Sequence, residues 1–120
     1  MKRIEPSLDK ICRTEHKDWN NEKVKNQLRL LKENNLDFIS QPIYLTKHQN
    51  DDNYFVYDGN TRTFLAEEKI IHPTNFQLLE SDEDLQFVRL SMDEIYWPGQ
   101  NLKSVSGYLK FITEKMNYFR

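Results

Sequence analysis

The residues 54–69 change from a strand-like to a helix-like pattern within a few positions, and this change constrains the fold more than any other feature. Residues 54–57 (YFVY) are aromatic or β-branched, which is typical of a strand. Asp58-Gly59, a strong short turn signal, ends the run. Residues 61–69 then have the composition of a short helix. A strand that passes directly into a helix indicates that both kinds of element share one core.

Other segments predict further elements of both kinds. Val24, Leu28 and Leu31 fall at i, i+4 and i+7, which predicts an amphipathic helix over 22–34. Several residues just before it, within 18–21, could cap its N-terminus. Residues 41–46 have strand composition, and the polar turn at 48–53 predicts that they pair with 54–57 as a hairpin.

Weaker patterns predict the remaining elements of the chain. Residues 76–79 are expected to form a short strand, and residues 1–12 a short strand or an extended lead-in. Further helices are expected from Ser81 or Asp82 to Leu90 and over about 103–119. The pair Tyr96-Trp97 is interpreted as a hydrophobic lid beside the last helix. We therefore predict one α+β domain over residues 1–120, with a small mixed sheet and flanking helices.

Composition narrows the classes of function. The chain has 120 residues, enough for one domain, and its net charge of -2 counts against a DNA-binding role. The single Cys12 cannot form an intrachain disulfide and is interpreted as a packing residue in a reducing compartment. No apolar run approaches the roughly 20 residues that span a bilayer, and no signal-peptide pattern is present. A cytoplasmic protein without a membrane partner is expected.

The turn at residues 58–62 has two interpretations. In the first, Asp58-Gly59 is only a turn, Thr61 caps the following helix, and Arg62 is a solvated surface residue that contributes little to folding. In the second, the turn is an anion site. The first backbone N–H groups of a helix have no intrahelical acceptor, and they carry the positive end of the helix dipole. Gly59 would allow close approach, Thr61 would add a hydroxyl, and Arg62 would add a guanidinium suited to phosphate.

The order of these segments resembles the family that unites the N-terminal domain of ParB with sulfiredoxin. That family shows a helix, then P-I-x-V, a charged turn and Y-x-V-x-D-G-x-x-R running into a helix. Here the corresponding stretches are QPIYL at 41–45 and YFVYDGNTR at 54–62. The resemblance covers about residues 4–80. It implies a ParB/sulfiredoxin-like fold in which Gly59, Asn60, Thr61 and Arg62 bind nucleotide phosphates.

Three branches of the family differ at this turn. Sulfiredoxin places its reactive Cys where this chain has Asn60, and an amide cannot replace a thiolate. ParB is longer and has a second Arg where this chain has Thr61. The free-serine kinases have D-G-H-T-R, which the stretch Asp58–Arg62 matches except at Asn60. They also have a catalytic Glu ahead of the first long helix, where this chain has Thr14-Glu15.

The resemblance to the kinase branch implies a role for each site residue. Glu15 would take a proton from a substrate hydroxyl, and Asp58 would help to hold Mg²⁺. The expected cofactor is a nucleotide, ATP or ADP, with Mg²⁺. We expect a small-molecule kinase or phosphotransferase; the alternative is a non-catalytic ParB-like module that binds a nucleotide, DNA or a protein partner. His16, His48 and His72 lack the spacing of metal ligands. The sequence does not indicate the oligomeric state.

Overall fold

A computed structural model describes residues 1–47, 52–80 and 95–99. The described chain forms an α+β domain, which confirms the predicted class. In chain order its elements are β1 (Lys2–Ile4), β2 (Ile11–Cys12), α1 (Glu22–Lys32), β3 (Ile43–Lys47), β4 (Tyr54–Asp58), α2 (Asn60–Glu67) and β5 (Phe76–Leu78). Short 3₁₀ turns occupy Leu8–Lys10 and Asp37–Ser40.

The five strands form one mixed sheet in the order β1-β5-β3-β4-β2. Strands β3 and β4 pair antiparallel, which confirms the predicted hairpin, and their register shifts between Tyr44 and Leu45. Strand β5 pairs in parallel with β3 and antiparallel with β1. Strand β2 pairs in parallel with β4, so the segment that follows β2 leaves the sheet beside the end of β4. This pairing brings the N-terminal part of the chain toward the turn before α2.

Helix α1 begins where the predicted caps lie. The Asn21 Oδ1 atom accepts hydrogen bonds from the backbone N–H groups of Lys23 (3.0 Å) and Val24 (3.2 Å), which satisfies two N–H groups that lack intrahelical acceptors. The helix ends at Lys32, two residues before the predicted end, and Asn34 lies in the left-handed region with φ of 58°. An Asn tolerates that conformation better than most residues, and it terminates the helix there.

Helix α2 begins at Asn60, one residue before the predicted start. Gly59 is its N-cap residue and makes no side-chain cap, so the interpretation of Thr61 as the cap is wrong. The left-handed backbone of Gly59 turns the chain into the helix at once, which places Thr61 inside the first turn. Thr63 holds that turn instead, because its Oγ1 donates to the Gly59 carbonyl oxygen at 2.9 Å.

Among the described residues, two apolar clusters contribute to the core. One joins the helices and contains Val24, Phe38, Phe64, Leu65, Ala66 and Ile71. The other lies in the sheet and contains Ile11, Ile43, Leu45, Val56 and Phe76. Leu8 packs against both clusters. Because residues 60–66 are all buried, α2 contributes its whole first turn to the interior rather than only one stripe.

The helices predicted near 82–90 and 103–119 and most of the turn at 48–53 lie outside the described residues. Within the residues that the structure describes, no helix is long and apolar enough to cross a membrane.

Candidate functional site

The conformation of Gly59 explains why the turn after β4 contains a glycine. Its φ is 113° and its ψ is 24°. A Cβ added at this position would lie 2.9 Å from Ile43 Cγ1 and 3.0 Å from Ile43 Cγ2. Both the positive φ and the close packing against β3 therefore require glycine, whether or not a ligand binds here.

The first turn of α2 has backbone N–H groups without acceptors in the helix. The Thr63 N–H donates to the Gly59 carbonyl oxygen at 2.9 Å, and this is the first bond of the intrahelical series. The N–H groups of Asn60, Thr61 and Arg62 come before it, so no helical carbonyl is available to them. Together with the helix dipole, they make this end of α2 suitable for an anion.

A cavity of about 150 Å³ lies beside this turn. It is lined by Glu15, Lys23, Gln27, Tyr57, Asp58, Gly59, Asn60, Thr61 and Arg62. The set contains every candidate site residue from the sequence and adds Lys23, Gln27 and Tyr57. Two carboxylates and two cations are present, so the cavity has no strong net charge. It is smaller than the roughly 300–1,000 Å³ of sites that enclose a drug-sized ligand, so it fits a phosphoryl group with a few further atoms.

Asn60 ties the N-terminal segment to α2 through its side chain. Its Oδ1 accepts from the Thr14 backbone N–H at 2.8 Å, and its Nδ2 donates to Thr14 Oγ1 at 3.1 Å. Thr14 Oγ1 in turn donates to the Val56 carbonyl oxygen in β4 at 2.7 Å. Both amide atoms of this buried Asn60 side chain therefore bind protein, and we expect its backbone N–H to be the group that meets a ligand. The same bonds fix the position of the next residue, Glu15.

Glu15 lines the cavity from the segment that follows β2, far from the turn at 58–62 in sequence. Its Oε2 lies 3.0 Å from Lys17 Nζ, and its side chain is half exposed while that of Lys17 is almost fully buried. Its backbone carbonyl oxygen accepts from Arg13 Nη1 at 2.8 Å. The carboxylate is therefore accessible to a ligand, and both the backbone and the ion pair hold it in place.

Arg62 is buried, and the expectation that it is a solvated surface residue is wrong. Only 7% of the residue is exposed, and Nη1 donates to the Gln41 carbonyl oxygen. Burial lowers the pKa of the Arg62 guanidinium, and the charges of Asp58 and Tyr44 oppose this effect. The cause is the complete burial of the first turn of α2, which places Arg62 beneath the segment that enters β3. Its removal will therefore affect the fold as well as any ligand.

The cavity offers two carboxylates for a cation, from Glu15 and Asp58. The described residues contain no group of three or more His, Cys, Asp or Glu side chains that could hold a metal by themselves. Mg²⁺ usually binds one or two protein carboxylates together with ligand phosphates and water. The residues present fit such an ion only if a phosphate ligand supplies further oxygens.

Sequence reasoning missed Lys23 and Gln27. They lie four residues apart on α1, so they share one face of the helix. The apolar pattern of α1 located its buried face but did not show which polar residues border the turn before α2. That information depends on how α1 packs against α2, which no local pattern determines.

A buried ion pair at the other end of α2 was also missed. Arg13 Nε donates to Glu67 Oε1 at 2.8 Å, and the Gly99 N–H donates to Glu67 Oε2 at 3.1 Å. The Arg13 guanidinium lies over the rings of Phe64 (5.4 Å) and Tyr96 (5.5 Å). Burial raises the pKa of the Glu67 carboxyl, and Arg13 opposes this effect. Tyr96 is buried here and also pairs with Arg13 through its backbone.

A second cavity, of about 510 Å³, lies away from the predicted residues. It is lined by Arg3, Glu5, Pro6, Ser7, Leu8, His72, Pro73, Thr74 and Phe76. Arg3 Nη2 donates to the Thr74 carbonyl oxygen at 2.9 Å and bridges two of its walls. It is larger than the cavity beside α2, but its lining contains neither the start of an α-helix nor any residue of the motif at 54–62.

No family model, no curated protein and no solved structure matches this chain. The resemblance to the ParB and sulfiredoxin family therefore stays a prediction.

Proposed function

We propose that the cavity binds the phosphate end of a nucleotide and that the protein is a small-molecule phosphotransferase with Glu15 as its general base. One observation carries this proposal: Glu15 and the turn at 58–62, which are distant in sequence, line the same small polar cavity. An isolated turn motif would not require a carboxylate to approach from the N-terminal segment.

The chain offers several groups to a phosphate. The N–H groups at the start of α2 favour an anion, and Lys23 adds an exposed cation on the facing helix. The buried Arg62 has five N–H donors, and its one recorded hydrogen bond among the described residues goes to the Gln41 carbonyl oxygen. A phosphate oxygen would therefore supply an anionic partner to a guanidinium whose charge is disfavoured by burial.

The carboxylates of Glu15 and Asp58 suit the other two requirements of a phosphoryl transfer, a general base and a site for Mg²⁺. Glu15 is half exposed, so it can reach a hydroxyl and accept its proton as the oxygen attacks phosphorus. Asp58, with Glu15 nearby, would hold a Mg²⁺ ion, and that ion would neutralise charge on the phosphates. The task of the chain is then mainly to place the acceptor between Glu15 and the start of α2.

A non-catalytic binding module is the second candidate, because Glu15 also has a structural role. Its ion pair with the nearly buried Lys17 would be expected even in a protein without chemistry. In that case the cavity would bind a phosphate group of a nucleotide, of DNA or of a protein partner. The net charge of -2 favours a nucleotide over DNA.

The binding part of the proposal is tested by thermal shift with ATP, ADP, CTP and GTP, each with and without Mg²⁺. A ligand at 100 times its Kd should stabilise the fold by about 2.7 kcal/mol. Lys23→Ala should weaken this response several-fold and leave the unliganded fold unchanged, because Lys23 is exposed. Lys25→Ala is the matched control, since Lys25 is exposed on the same helix and does not line the cavity. Equal responses of the two variants would contradict phosphate binding at this site.

The catalytic part is tested by phosphoryl transfer to a panel of small hydroxyl compounds, followed by ³¹P NMR. Glu15→Gln should lower turnover by roughly 10²–10⁴-fold and spare nucleotide binding. Glu22→Gln is the control, because that carboxylate is exposed and lies outside the cavity. Nucleotide binding without turnover in the wild-type protein would favour the binding module.

A further inference from the structure

Gln27 has a buried polar atom that lacks a hydrogen-bond partner among the described residues. Its Oε1 has almost no exposed surface, and no donor among the described residues reaches it. Gln27 lies on α1 one turn after Lys23 and lines the cavity. Buried side-chain acceptors in native proteins nearly always have a donor, so an exception calls for an explanation.

The position of Gln27 indicates what could supply that donor. An unpaired buried acceptor destabilises a fold, and an apolar residue of similar size would avoid this loss. The side chain as a whole is only partly buried, so its amide can turn toward the cavity when a ligand offers a hydrogen bond. Around the cavity, Gln27 adds a neutral acceptor to the carboxylates of Glu15 and Asp58.

We propose that Gln27 is a specificity-determining residue that accepts a hydrogen bond from a hydroxyl group of the phosphoryl acceptor. This inference rests on the proposed function. Glu15 takes the proton of the hydroxyl that reacts, so in this proposal Gln27 accepts from a second hydroxyl of the same compound. The acceptor is then a compact compound with at least two hydroxyl groups, and its product is a hydroxylated phosphate monoester.

The volume of the cavity supports a compact acceptor. About 150 Å³ is enough for a phosphoryl group with a few carbon and oxygen atoms, but not for a nucleoside as well. The acidic and amide acceptors favour hydroxyl groups at one part of the cavity, while Lys23 and the start of α2 favour the phosphate. A hydroxylated phosphate monoester matches both parts, whereas an alkyl phosphate matches only one.

The test compares two ligands that differ only in their hydroxyl groups, glycerol 3-phosphate and propyl phosphate. We expect the wild-type protein to bind glycerol 3-phosphate about tenfold more tightly than propyl phosphate, because a single good hydrogen bond accounts for such a ratio. Gln27→Met should reduce this ratio several-fold while leaving the Kd of propyl phosphate unchanged, and any preference that remains comes from the carboxylates of Glu15 and Asp58. The same variant should unfold at a higher temperature without ligand, because the unpaired acceptor is removed. Binding is followed by ³¹P NMR and thermal shift.

A second variant and the wild-type protein distinguish failure of the phosphate site from failure of the role of Gln27. Gln27→Glu keeps an acceptor, so it should keep the preference for glycerol 3-phosphate and bind both phosphates more weakly through repulsion. If the wild-type protein binds neither phosphate, the proposed phosphate site itself fails. If it binds both equally, or if Gln27→Met retains the full preference, the phosphate site stands and the role of Gln27 is refuted.

Discussion

Thr14→Val tests whether the N-terminal segment is held to the sheet and to α2 by the Thr14 hydroxyl. Thr14 is buried, and its Oγ1 accepts from Asn60 Nδ2 (3.1 Å) and donates to the Val56 carbonyl oxygen (2.7 Å). Valine has nearly the same shape but leaves both of these partners without a hydrogen bond. Each orphaned buried group costs about 1–3 kcal/mol, so we expect a loss of roughly 2–6 kcal/mol in the free energy of unfolding.

Thr63→Val is the matched control. Thr63 is also buried, and its Oγ1 donates to the Gly59 carbonyl oxygen at 2.9 Å. That oxygen keeps its bond from the Thr63 backbone N–H, so valine leaves no buried group unsatisfied. The expected loss is about 0.5–1.5 kcal/mol, the net worth of one neutral hydrogen bond.

Urea unfolding, followed by tryptophan fluorescence, measures both variants. Trp19 contacts the Phe64 ring with centroids 5.2 Å apart, so its emission reports on packing near α2. The slope of free energy against urea should match the wild-type value, because the variants change stability and not the surface exposed on unfolding. Equal losses for Thr14→Val and Thr63→Val would refute the reasoning, since the bridge through Thr14 would then be worth no more than one local bond.

Three further predictions concern Gly59, Glu67 and Arg13. Gly59→Ala should lower the free energy of unfolding by about 2–5 kcal/mol, from left-handed strain of about 1–2 kcal/mol and overpacking of about 1–3 kcal/mol. Gly99 also has a positive φ but has open space around it, so Gly99→Ala should lose the strain alone. Equal losses of the two variants in urea unfolding would contradict the contact of Gly59 with β3. Burial raises the pKa of the Glu67 carboxyl above its usual 4.5, so the folded state binds the carboxyl proton more tightly than the unfolded state does. The contribution of Glu67 to the free energy of unfolding therefore falls as pH rises through the raised pKa. The unfolding free energy of the wild-type protein minus that of Glu67→Gln should therefore decrease as pH rises from 4.5, and a flat difference would contradict the raised pKa. Arg13→Met should cost about 3–5 kcal/mol, because it leaves the Glu67 carboxylate buried and unpaired.

The elements that sequence reasoning located are those whose signals are local. The β4 strand, the Asp58-Gly59 turn and α2 follow one another without a gap, so composition and turn chemistry were sufficient. The β3–β4 hairpin was predictable for the same reason, because its strands are neighbours in sequence. The bounds of α2 were less accurate, because the left-handed conformation of Gly59 moves its start one residue earlier than predicted, and the helix ends at Glu67 rather than at residue 69.

The pairings between strands that are distant in sequence could not be predicted from local patterns. Strand β2 has only two residues, Ile11 and Cys12. Two residues are too few to show the alternation that predicts a strand, and nothing in them indicates the parallel pairing with β4. The ion pair between Arg13 and Glu67 joins residues 54 positions apart, and each alone would be expected at the surface. Burial of both depends on the pairing of β2 with β4, which places Arg13 beside α2. The exposure of Arg62 was predicted incorrectly for another reason: the whole first turn of α2 is buried, and Arg62 donates to the Gln41 carbonyl oxygen in the segment that enters β3.

The role of Asn60 shows how the site depends on these distant pairings. The predicted resemblance to the ParB and sulfiredoxin family would place a Cys or a His that can take part in chemistry at this position in two of its branches. Here its side chain makes two hydrogen bonds to Thr14, the residue before Glu15. The amide has no proton to gain or lose near neutral pH, so these bonds hold over a wide pH range. Asn60 therefore holds the segment of Glu15 beside the start of α2, and under the proposed function Glu15 itself would be the general base.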